Sequence, residues 1–83
     1  VLDLTGTVVG VNARRGFVTV RLPGYDICLM RWLEGELPAP GDILRGPFFG
    51  TPGLRNVTSG WEVQASVEAT HCTAGAAARL LGG

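Results

Sequence analysis

The chain predicts a small all-β barrel followed by a short C-terminal helix. Three observations carry that prediction. Short runs rich in Val, Thr, Phe and Ile recur along the chain, several with apolar and polar residues alternating. Glycine and proline signals separate most of them. One long irregular connection follows the third run, a spacing that suits a barrel better than a sheet interleaved with helices.

The elements follow in order. Residues 4–11 form a first strand, interrupted by Gly6 and Gly10, where a strand bends or another backbone approaches. Asn12 to Gly16 make the connection to residues 15–22, in which Gly16, Val18, Val20 and Leu22 face the core. Arg15, Phe17, Thr19 and Arg21 fall on the opposite face, a candidate working surface. Pro23 and Gly24 turn the chain into a third strand over residues 25–33, whose poor alternation suits a strand covered on both sides. Residues 34–42 hold two prolines and two glycines and read as a long connection. Residues 43–49 and 54–58 are expected to form a hairpin, with Pro47 marking an edge or bulge. Residues 61–70 alternate most cleanly, with Trp61, Val63, Ala65, Val67 and Ala69 on one face. Thr73 is the expected N-cap of a helix over residues 74–81, stopped by Gly82 and Gly83. So short a helix needs its leucines docked to persist in water.

These elements define one domain, residues 1–83, with the barrel over about 3–70 and an OB-type or SH3-like barrel as the natural candidate. A chain this short buries only about 60% of its unfolded surface, so a second core is excluded. The apolar runs are too short to span a membrane and no signal peptide is evident, so a soluble cytoplasmic protein is expected. All seven cations are arginine and seven acids balance them. Their distribution is uneven. Residues 1–33 carry Arg14, Arg15, Arg21 and Arg31 against Asp3 and Asp26, a net of +2, and the remainder carries −2.

Catalysis is not expected, because the chain has one histidine, no lysine and no nucleophile or phosphate-binding motif. No cofactor or metal is expected either. His71 and Cys72 are neighbours that point to opposite faces of a strand, and Cys28 and Cys72 form no CxxC pair. Both cysteines are expected to be reduced. Trp32 and Trp61 are expected to pack rather than to bind, and the Asn56-Val57-Thr58 triplet reads as a chance glycosylation pattern within a strand.

The run from Gly6 to Phe17, with Asn12, Ala13, Arg14, Arg15 and Gly16 at its turn, resembles the first hairpin of cold-shock domains. The likeness continues loosely through residues 26–30, 41–44 and 56–58. It implies an OB fold that binds single-stranded RNA or DNA on exposed aromatics of the second and third strands, each stacked base contributing about 1–3 kcal/mol. Phe17 matches the first such aromatic and Arg15 matches the lysine after the turn. Thr19 stands in place of the second aromatic, Gly10 in place of a tryptophan, and Cys28 and Met30 in place of phenylalanine and histidine. The resemblance therefore implies weak binding by Phe17 with Arg14, Arg15, Arg21 and Arg31. The extra strand and helix at the C-terminus depart from the family. They motivate an alternative, a structural or protein-interaction barrel that has lost the ligand surface and forms a homo-oligomer through that segment.

Overall fold

In a computed structural model, which describes residues 2–82, six antiparallel strands close into a barrel with one helix outside it. They are β1 (Leu4–Asn12), β2 (Phe17–Leu22), β3 (Asp26–Glu34), β4 (Ile43–Gly46), β5 (Gly53–Asn56) and β6 (Glu62–Cys72), followed by α1 (Ala74–Gly82). The order around the barrel is β1-β2-β3-β6-β5-β4, with β4 returning to β1. The predicted barrel and helix are thus present. The expected stop at Gly83 lies outside the described residues.

Val8, Val18, Val20, Leu22, Cys28, Met30, Leu44, Leu54, Val63 and Ala65 fill the barrel, as alternation on β2 required. Phe48 joins them from outside any strand. The expected strand through residue 49 stops at Gly46, whose φ of 154° and near contact with Leu54 leave no room for a side chain, and Pro47 then directs Phe48 inward.

Bulges decide which residues face outward. The β1–β2 register shifts between Val8 and Gly10, so Val11 still faces the core-facing Val18 while Gly10 pairs with Thr19 outside. Three shifts between β3 and β6 bend the long last strand around the barrel. One of them, near Glu68, pairs Ala69 with outward-facing Leu29 rather than leaving it in line with Val63, Ala65 and Val67. Trp61 corrects a second expectation. It precedes β6 and is 58% exposed, whereas Trp32 packs against the core and its Nε1 donates to the Gly35 carbonyl at 3.2 Å.

The long connection is tied down by Asp42 and Asn56. The Asp42 carboxylate accepts from the Asn56 amide at 2.9 Å and from the Ala39 backbone at 3.0 Å. Asn56, 3% exposed, also accepts from the Thr58 and Ser59 amides, so its side chain is committed to the turn. The Asn56 and Ala39 donors hold the Asp42 carboxyl below its usual range. A carboxyl lowered in this way favours folding when ionised; its contribution is present above the ordinary carboxyl value and lost as pH falls through the lowered one. Urea stability is therefore expected to decline as pH falls below about 4, and Asp42→Asn should flatten that decline. An equally steep decline in the variant would show that Asp42 is not the group responsible.

Candidate functional site

The strand registers arrange the outer face of β1, β2, β3 and β6 into three rows. At the end carrying the β1–β2 turn lie Asn12, Phe17, Arg31 and Ser66. Gly10, Thr19, Leu29 and Ala69 form the middle row. Thr7, Arg21, Ile27 and Cys72 form the third.

The α1 helix lies across the middle row. Thr73 caps it as expected, its Oγ1 accepting from the Ala76 amide at 3.1 Å. At the other end Asn12 Nδ2 donates to the Leu81 carbonyl at 3.0 Å, satisfying one of the orphan acceptors of the last turn. Ile27, Leu29, Thr19 and Ala77 are buried although none belongs to the barrel core. They make a second, smaller apolar layer between sheet and helix. A Cβ on Gly10 would stand 2.8 Å from Leu81 Cδ2 and 2.9 Å from Thr19 Oγ1. Gly10 and the small Thr19 thus have a steric role, since larger side chains would occupy the space of α1.

This arrangement corrects the carry-over to β3. Cys28 and Met30 pair with Val20 and Val18 and are fully buried, so the outward residues of that strand are Ile27, Leu29 and Arg31. Burial, reinforced by the neighbouring Cys72, pushes the Cys28 thiol up from its ordinary value. Both cysteines are free; Cys72 is half-buried and His71 exposed. Among the described residues no three metal-ligating side chains are grouped to hold an ion.

Of the five residues expected to bind, the fold brings three together. Phe17, partly exposed, has the Arg31 guanidinium 5.0 Å and the Arg15 guanidinium 5.4 Å from its ring centre. Both distances suit a cation–π contact. Arg14 lies exposed in the same turn, which is held by the Arg15 amide donating to Asn12 Oδ1 at 3.2 Å. Arg21 stands two rows away beside the start of α1. Arg31 has one acidic neighbour, Glu68 at 3.8 Å, an exposed pair of little energetic weight. Asn12 is the residue that sequence reading missed. It links helix and turn, and only its place in the turn hinted at such a role.

The steric account of Gly10 is testable. Gly10→Val should destabilise the protein by about 1–3 kcal/mol in urea unfolding and speed hydrogen exchange at Ala77 and Ala78. Unchanged stability and exchange would show that α1 does not rest on this position. Comparison with known protein families, curated proteins and solved structures finds no match to this chain.

Proposed function

We propose that the protein is a non-catalytic, OB-type module of cold-shock-like ancestry that binds single-stranded nucleic acid weakly in a cytoplasmic setting. The observation that carries this reading is the pair of guanidinium groups, from Arg15 and Arg31, gathered on the single ring of Phe17. Two like charges held near one ring repel each other, and a phosphate entering between them relieves that repulsion while accepting charge-assisted hydrogen bonds. A base can stack on a guanidinium plane or displace one from the Phe17 ring. Arg14 adds a third cation from the turn. The platform holds one or two nucleotides, because α1 occupies the middle row where further bases would stack.

Fluorescence anisotropy with a labelled single-stranded oligonucleotide at low salt tests this reading. Binding weaker than about 10 μM is expected, with a salt slope that falls by about 0.7 for each arginine contacting phosphate when Arg14, Arg15 or Arg31 is changed to Gln. Phe17→Ala should weaken binding by about 1–3 kcal/mol. Binding insensitive to salt and to all four substitutions would refute it.

A second reading has its own observation. The helix covers the face that a ligand would use, while Leu33 and Phe49 stay exposed beside a groove of ≈ 360 Å³. A protein-interaction or self-associating barrel accounts for that combination. The C-terminal strand and helix are already packed on their own barrel, so association would use another surface. Light scattering showing a strict monomer at high concentration would remove the self-associating version.

A further inference from the structure

The space around α1 is incompletely filled, and its two clefts meet at one arginine. The larger, ≈ 570 Å³, opens between the β2–β3 turn, the end of β6 and the first turn of α1, with Arg21, Asp26, His71 and Cys72 at its wall. A smaller cleft of ≈ 230 Å³ opens along the side of α1, lined by Val9, Gly10, Thr19, Ala77, Ala78 and Leu81. Arg21, Ile27 and Ala74 line both.

We infer that these joined clefts form a binding site for a small organic carboxylate with a short apolar body. The body lies in the open groove beside α1, over Val9 and Ala78, and the carboxylate meets Arg21. The inner cleft is largely apolar, because its helix wall is made of Ala74, Ala77, Ala78 and Leu81. Its one buried hydroxyl, Thr19 Oγ1, is turned toward the Gly10 carbonyl at 3.5 Å. Such a wall offers a ligand apolar contact and little else, and its size admits a short chain or one ring. Arg21 makes no ion pair with any carboxylate among the described residues, so its guanidinium is available at the junction. A guanidinium holds a carboxylate by two parallel hydrogen bonds. Asp26 on the outer wall repels multiply charged anions, which biases the site toward a single carboxylate over phosphate. The backbone is drawn tight at this opening. Asp26 and His71, the two non-glycine residues with positive φ among those described, both line it, and the His71 amide donates to the Tyr25 carbonyl at 2.8 Å across the strand ends. This site is separate from the Phe17 cluster and does not depend on nucleic-acid binding.

Titration of the full chain with sodium octanoate, followed by amide NMR shifts, tests the inference. Saturable shifts are expected at Gly10, Thr19, Ile27, Ala77 and Ala78, with affinity in about the millimolar range. Arg21→Gln should weaken octanoate about tenfold or more and leave binding of octan-1-ol unchanged. Ala78→Phe, at an exposed helix position lining the inner cleft, should abolish both while the spectrum stays folded. Inorganic phosphate at the same concentration should produce no shifts at these residues. The site is overturned if octanoate shifts nothing there, if the shifts gather at the Leu33 and Phe49 groove, or if Arg21→Gln binds octanoate as well as the parent chain. Phosphate shifting the same residues as strongly as octanoate would overturn the carboxylate assignment.

Discussion

The pairing of β6 on both its sides is the constraint on which the rest of the structure depends. Its first residues bond to β5 and the remainder to β3, so one strand closes the barrel. Closure leaves no long unpaired edge, which in a small sheet would invite pairing with another chain. It also fixes where the chain exits. Cys72 lies beside Ile27 at the third outer row, and with only Thr73 between β6 and the helix, α1 has little choice but to cross the outer face of β2 and β3.

That crossing governs the surface chemistry. A nine-residue, alanine-rich helix is not stable alone in water. It is held by a narrow apolar layer, a hydroxyl cap from Thr73 and an amide cap from Asn12. The sheet beneath must be correspondingly flat, and Gly10 and Thr19 meet that demand. The aromatic platform of a nucleic-acid binder and a docked helix compete for the same volume, and this chain has the helix. What stays open lies at the two ends of α1, with Phe17 and its arginines near the C-terminal end and Arg21 near the N-terminal end. Asn12 joins the first of these regions to the helix, because its amide bonds to Leu81 and to the turn carrying Arg14 and Arg15.

Much of this was legible in the residues. Strict alternation on β2 identified Val18, Val20 and Leu22 as core, since a strand with one face inside a barrel must alternate. Glycine and proline signals placed most of the turns, and Thr73 announced the helix. The misplacements have three origins. A bulge near Glu68 takes Ala69 out of the inner row, the start of β6 leaves Trp61 ahead of the strand and in solvent, and likeness to a family puts Cys28 and Met30 on the wrong face of β3. The bulge and the strand start leave no mark in composition or periodicity.

The sequence by itself determined the all-β class, the short capped helix, the β2 core face and the cluster of basic residues around Phe17, because these follow from local propensity, period and turn chemistry. Only the tertiary structure decided that β6 closes the barrel, that α1 covers the middle outer row, and that Arg21 is separated from Arg15 and Arg31. Those outcomes depend on register and on contacts between residues far apart in the chain, which are settled by packing volume.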